Sequence, residues 1–143
     1  MEFQRTIEIA APAATVWAVI SDVQRWHEWT PSVTSVRRLE AGPLAMGSRA
    51  WIRQPSFPPA LWQVTAIEPP RRFVWRSGLP GMWVYGYHSV EARPGGGARA
   101  TLGLRFEGLL GSLLARLTRG ITDRYLGYEA AGLKQRSESL EPR

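Results

Sequence analysis

The stretch that decides the fold is ARATLGLRFEGLLGSLLARLTRGITDRYLGY, residues 98–128, because its apolar spacing changes partway along. Up to Glu107, apolar and polar residues alternate, and Leu102, Leu104 and Phe106 share one face, which predicts a half-buried strand over 98–107. From Leu109 onward, apolar residues recur every three or four positions, as on one face of an amphipathic helix. We therefore predict one long helix over about 109–138 after the last strand.

The chain before residue 98 predicts six more strands. Alternation predicts the first over residues 2–9, and the others are predicted over 33–40, 47–53, 60–68, 71–77 and 82–92. Short segments rich in proline and glycine join the later strands, which indicates antiparallel neighbours, because a parallel pair needs a crossover of about a dozen residues. Between the first two strands, Pro12 and Pro31 bracket two short helices. The fold class predicted is α+β, with a curved antiparallel seven-stranded sheet.

Composition limits the classes of function. A length of 143 residues predicts one domain, with a polar tail over about 137–143. The absence of cysteine excludes disulfides, thiolate metal sites and cysteine nucleophiles. Neither a signal peptide nor an apolar run of about 20 residues that could span a membrane is apparent, so we expect a cytoplasmic protein. The net charge of +6 is spread singly or in pairs rather than in a stripe, so we expect no nucleic-acid partner.

Tryptophan is the most informative residue type. Seven tryptophans in 143 residues supply more apolar area than a core of this size needs, so we expect part of that area to line a cavity. Large aromatic side chains on a concave face suit an apolar or planar small molecule, since they add contact area at little entropic cost. The sequence therefore predicts a hydrophobic ligand without naming it.

Three segments resemble a known family. DVQRWHEWTP, residues 22–31, is similar to a turn of the polyketide cyclase/dehydrase and lipid-transport family, within the START and birch-pollen-allergen (SRPBCC) superfamily. WQV at 62–64 with EPPRRFVW at 68–75 resembles the central hairpin of that family, and YHSVE at 87–91 with FEG at 106–108 resembles its last two strands. The resemblance spans about residues 3–135 and implies a helix-grip fold, with a deep cavity between the sheet and the long helix. Members of the superfamily use that cavity for lipids, sterols, quinones, polyketides or plant hormones, and only some are enzymes.

These observations select candidate site residues. The ligand contacts that we expect are Trp29, Trp62, Trp75, His88, Phe106, Leu113, Leu117, Ile121 and Tyr125. His88 is the candidate for proton transfer, since a neutral imidazole can act as an acid or a base, although a hydrogen-bonded core histidine is the simpler interpretation. No cluster has metal-ligand spacing, and no cofactor motif is present.

The orientation of two strands stays open. In 47–53 we favour Ala50 and Ile52 inside; the alternative turns Arg49 and Arg53 inward and would imply an anionic ligand, because uncompensated buried charge is costly. In 82–92 we favour the face of His88 inside. The opposite face would then carry Trp83, Tyr85 and Tyr87 on the convex side of the sheet, where an apolar patch would suit a homodimer contact.

Three functional hypotheses follow. The first is a binding or carrier protein for a hydrophobic small molecule. The second is an enzyme of the cyclase or dehydratase kind that uses the same cavity with acid or base chemistry. The third is a protein-interaction module that uses the basic surface.

Overall fold

Seven antiparallel strands form one sheet in the computed structural model, which describes residues 1–141. The strands are β1 (Glu2–Ile9), β2 (Ser35–Arg38), β3 (Arg49–Arg53), β4 (Ala60–Glu68), β5 (Arg72–Leu79), β6 (Met82–Ala92) and β7 (Ala98–Glu107). Their spatial order is β1-β7-β6-β5-β4-β3-β2, so β2 to β7 form a meander and β1 pairs with β7. The predicted α+β fold class and the antiparallel seven-stranded sheet are confirmed.

The helices are α1 (Ala13–Ser21), a 3-10 helix (Val23–Glu28), α2 (Leu109–Leu117) and α3 (Arg119–Ser139). The predicted long helix is present, but it is interrupted at Thr118, whose φ of −108° and ψ of 12° leave the helical range. The Thr118 hydroxyl donates a hydrogen bond of 2.7 Å to the Leu114 carbonyl, a local bond of the kind that disturbs helix geometry. Helix α3 ends at Ser139, close to the predicted end at about 138, but Ser137, where the polar tail was predicted to begin, is fully buried. Of the residues in that tail, Pro142 and Arg143 lie outside the described residues.

The core lies between the concave face of the sheet and the helices. Phe73 of β5 is fully buried there, and Trp17 of α1 meets its ring edge-on at 6.1 Å between centroids. A bulge in β4 between Val64 and Ala66 lets both Val64 and Ile67 face β5 partners that point inward. The bulge therefore keeps a continuous apolar surface along the middle of the sheet.

Strands β3 and β6, whose orientation was left open by the sequence, both turn the favoured face inward. Ala50 and Ile52 are 1% and 5% exposed, whereas Arg49 is exposed. His88 and Val90 are buried inside. The convex aromatic side chains are partly covered by arginines: the Arg76 guanidinium lies 4.0 Å from the Trp83 ring centroid, and Arg105 covers Tyr85 in the same way.

Helix α3 approaches the segment after the 3-10 helix closely. A Cβ atom added at Gly132 would overlap the carbonyl oxygen of Trp29, so only glycine fits at this crossing. Nearer the N-terminus of α3, Asp123 forms an ion pair of 2.9 Å with the Arg5 side chain of β1. These contacts hold α3 across the open side of the sheet and leave a space beneath it.

Candidate functional site

The space between the sheet and α2–α3 is an apolar cavity of about 480 Å³. Trp62, Trp75 and Phe106 line it from the sheet, while Leu114 and Tyr125 line it from the helices. Three of its lining residues are also exposed to solvent, namely Pro58, Pro59 and Gly78. The cavity therefore opens between the β3–β4 loop and the β5–β6 turn.

Four indole rings form a continuous wall of the cavity. The ring centroids of Trp26 and Trp75 are 5.2 Å apart, those of Trp62 and Trp75 are 5.8 Å apart, and those of Trp26 and Trp29 are 5.9 Å apart. Gly86 of β6 makes room for this arrangement, because a Cβ atom there would lie only 3.0 Å from Trp75 Nε1. The wall offers the flat, polarisable surface that ring-containing ligands prefer.

Trp26 is held in place as part of the protein. It is 4% exposed, and its Nε1–H donates a hydrogen bond of 3.0 Å to the carbonyl of Ile20 in α1. The indole N–H thus has a hydrogen-bond partner within the protein, while the ring still lines the cavity. Trp26 acts as a rigid support for the more accessible Trp29.

His88 lies at the buried end of the wall. Its ring stacks on Phe73 at 4.2 Å between centroids and 15° between planes, and its Nδ1 is 3.4 Å from the Phe73 carbonyl oxygen. Since a carbonyl can only accept, Nδ1 carries the proton of the neutral ring. Burial lowers the pKa of His88 to about 3, and the hydrogen bond to Phe73 offsets only part of that effect. The imidazole is therefore neutral at physiological pH, so no imidazolium is present there to act as a general acid.

Glu129 of α3 is the one carboxylic acid that lines the cavity in the described part of the chain. Its side chain is half-buried, and within residues 1–141 no lysine, arginine or histidine lies in ion-pair range of it. Burial raises the pKa of Glu129 to about 8. At neutral pH the group is mostly a neutral acid, which can donate one hydrogen bond into the cavity.

The mouth is tied to α3 by Tyr125. Its hydroxyl donates a hydrogen bond to the carbonyl of Pro55 in the β3–β4 loop, and Phe57 of that loop meets the Tyr125 ring edge-on at 6.0 Å. The loop thus forms one rim of the opening, and the Tyr125 hydroxyl already has a protein partner.

Six of the nine expected ligand contacts line the cavity: Trp29, Trp62, Trp75, His88, Phe106 and Tyr125. The other three expected contacts, Leu113, Leu117 and Ile121, do not line it. Leu113 and Leu117 are 52% and 76% exposed. The reason is that the small residues Gly111 and Ala115 turn toward the sheet and are buried, which rotates the leucines outward.

From α2, α3 and the junction between them, the residues that line the cavity are Leu114, Thr118, Thr122, Tyr125, Leu126 and Glu129. Glu129 was not among the residues expected from the sequence, because a charged residue on a helix is usually solvated. A signal was available: Glu129 follows Tyr125 by four positions, and such residues share one helix face. The cavity-facing side of α3 was predicted from its apolar residues alone, so the polar residues on that side were not identified.

No three His, Asp or Glu side chains among residues 1–141 come together in a way that could hold a metal ion. In that same part of the chain, no helix combines the length and the apolar content needed to cross a membrane.

Comparison with known proteins identifies the family of the chain and structures with a similar fold. A family model described as polyketide cyclase/dehydrase and lipid transport matches residues 1–138. A search of curated proteins by sequence finds no match. Among solved structures, the Zhui aromatase/cyclase from Streptomyces sp. R1128 is 18% identical, with a TM-score of 0.77 over 96% of this chain and 93% of that one.

Two further structures are similar. A START superfamily protein from Mycobacterium smegmatis is 17% identical, with a TM-score of 0.72 over 98% of this chain and 99% of that one. The di-domain aromatase/cyclase StfQ of the steffimycin biosynthetic pathway is 13% identical, with a TM-score of 0.70 over 95% of this chain and 44% of that one. At these identities the likeness shows the fold alone. The family model covers nearly the whole chain, and the chain therefore belongs to the polyketide cyclase/dehydrase and lipid-transport family.

Proposed function

We propose that this protein binds a hydrophobic, ring-containing small molecule in the cavity and carries it unchanged. The observation that supports this most is the wall of four indole rings around a space of about 480 Å³. That volume lies in the range of about 300–1,000 Å³ typical of small-molecule sites. The ligand would contact Trp29, Trp62, Trp75 and Phe106.

One polar group of the ligand would meet Glu129. As a neutral acid, this side chain donates a hydrogen bond, so the complementary group is a carbonyl, ether or hydroxyl oxygen. An anionic ligand would be disfavoured. Within residues 1–141 no cation lines the cavity to pair with it, and burying an unpaired anion costs free energy. Neutral quinones, polyketides and sterols all fit this description.

Carriage is favoured over catalysis because only one of the two cavity side chains with a shifted pKa, Glu129, has a pKa suited to acid or base chemistry. Acid or base chemistry at neutral pH needs a group whose pKa lies near the operating pH, and His88 does not meet this condition. Glu129 does meet it, so the second candidate function, a cyclase or dehydratase, would use Glu129 as its general acid. That candidate takes its support from the raised pKa of Glu129 and from the fold shared with aromatase/cyclases.

Binding is tested by titrating naphthoquinones, anthraquinones and sterols against the protein and following tryptophan quenching and thermal shift. Thr122→Phe would place a ring in the cavity, and Thr6→Phe, on the exposed face of β1, is the matched control. We expect saturable binding by the wild type and by Thr6→Phe, and loss of binding in folded Thr122→Phe. If no ligand saturates, or if Thr122→Phe binds as the wild type does, the carrier proposal fails.

Carriage and chemistry are separated by recovering the ligand. After prolonged incubation, mass spectrometry should return the bound compound unchanged. A dehydrated or cyclised product that requires the protein would replace the carrier proposal with the enzymatic one. Loss of that product in Glu129→Gln would then assign the acid, whereas unchanged turnover would exclude it.

We also infer a cytoplasmic location and no nucleic-acid partner. The absence of cysteine agrees with a reducing compartment. Several arginines are engaged in ion pairs with carboxylates; Arg5, Arg49, Arg72 and Arg99 are examples. Arginines committed in this way do not form the continuous basic stripe that a phosphate backbone needs.

A further inference from the structure

Helix α2 presents an apolar face to solvent. Leu109, Leu110, Leu113 and Leu117 are between 52% and 91% exposed, and the helix has only one charged residue, Arg116. At 100° per residue the four leucines occupy about 100° of the helix circumference. Such a concentration of exposed leucines on one short element marks an interaction surface rather than scattered surface residues.

This leucine face lies beside the mouth of the cavity. The amides of Leu110 and Gly111 donate hydrogen bonds to the carbonyl of Gly81 in the β5–β6 turn. The end of β5, next to that turn, carries Leu79, which is 66% exposed, and contributes Gly78 to the rim of the cavity. On the inner side of α2, Leu114 lines the cavity. The exposed leucines and the cavity therefore lie on different sides of the same helix, α2.

The rim of the leucine face is basic. Arg116 lies on α2, and Arg119 and Arg124 follow on α3; all three are exposed, and none forms an ion pair with a carboxylate of residues 1–141. The two flanking carboxylates are already engaged, Glu107 with Arg105 and Asp123 with Arg5. The free charge around the leucines is therefore positive.

This charge decides between occupants. A second copy of the chain packed face to face would bring the same three arginines toward one another, and like charges at an interface oppose association. An anionic surface would instead be attracted by the arginines while the leucines enter its apolar layer, as in interfacial amphipathic helices.

We propose that the leucine face of α2, together with Leu79, docks on an anionic lipid surface, so that the cavity mouth opens against that surface. An apolar molecule would then move between the lipid layer and the cavity with little exposure to water. The docking step concerns the outer face of α2 and does not depend on which ligand the cavity holds.

The test is cosedimentation of the full chain with phosphatidylcholine vesicles, with and without phosphatidylserine. We expect binding to the vesicles that contain phosphatidylserine, weakened by added salt. The double variant Leu113→Gln with Leu117→Gln should lower the partition coefficient at least about tenfold, since each exposed leucine would lose its apolar burial. The double variant Met46→Gln with Leu140→Gln removes equally exposed apolar side chains elsewhere and should bind as the wild type does.

Three results would overturn the proposal. These are no binding to vesicles that contain phosphatidylserine at low salt, equal binding by the α2 variant and its control, and a dimer in analytical ultracentrifugation that the α2 variant dissolves. Tryptophan quenching by a soluble ligand is measured on the same variants. Quenching retained by an α2 variant that no longer binds vesicles separates docking from ligand binding, so either proposal can fail without the other.

Discussion

Replacing Glu129 with glutamine should change how stability depends on pH, because the carboxyl group titrates differently in the folded and unfolded chain. Its pKa is about 8 when folded, against an ordinary value of 4.5. Between these values the folded state keeps a proton that the unfolded state has lost, so the free energy of unfolding falls as pH rises. One group contributes about 1.4 kcal/mol for each pH unit, or about 3 kcal/mol over two units.

Glutamine cannot titrate and fills nearly the same volume. The free energy of unfolding of Glu129→Gln minus that of the wild type should therefore grow by about 3 kcal/mol over two pH units within that window. Urea denaturation of both proteins across a pH series measures this difference, in which all other titrations cancel. Glu138→Gln is the control, because Lys134 holds the pKa of Glu138 below its usual range and its contribution is lost only toward acid pH. A difference for Glu129→Gln that stays flat across the window would refute the assignment of a buried neutral acid.

The remaining predictions concern packing and His88. Gly132→Ala should destabilise the protein by about 3 kcal/mol in urea denaturation, because the added methyl group overlaps the Trp29 backbone. Gly127→Ala, whose nearest neighbour would be the Arg5 side chain at 3.7 Å, should gain about 1 kcal/mol, and equal effects of the two alanines would contradict the close crossing. The His88 imidazole signals in NMR should show no titration near neutral pH, since the pKa is about 3; a midpoint near 6.5 would contradict the stacked, buried ring. Because the unfolded histidine binds a proton that the folded one does not, His88 should lower stability as pH falls from 6.5 toward 3.

Much of the fold could be predicted from sequence because apolar and polar residues alternate along most of the strands, apart from the bulge in β4. Alternation defined two possible faces for β3 and for β6, and the choice between them rested on the cost of burying arginine in β3 and on the family resemblance in β6. The structure has Ala50, Ile52, His88 and Val90 buried. The 143-residue chain also carries recognisable turn segments between its strands. Local pattern and tertiary burial therefore agree over most of the sheet.

The helices were harder, because the usual rule assumes that the more apolar face is the buried one. In α2 the opposite holds: Gly111 and Ala115 face the sheet, while Leu113 and Leu117 face water. Close packing of α2 against the sheet requires small residues on its inner side, so the leucines lie on its outer, exposed side. In α3, half-buried Glu129 lines the cavity because of tertiary geometry that no local pattern of charge reveals.

A crystal structure of the protein with the tightest ligand found in the titrations would show directly what the cavity holds. We expect the ligand ring to lie against Trp62 and Trp75, with a neutral oxygen within hydrogen-bonding distance of the Glu129 carboxyl group. A ligand bound on the convex face of the sheet, or a cavity closed by the indole rings, would contradict this expectation.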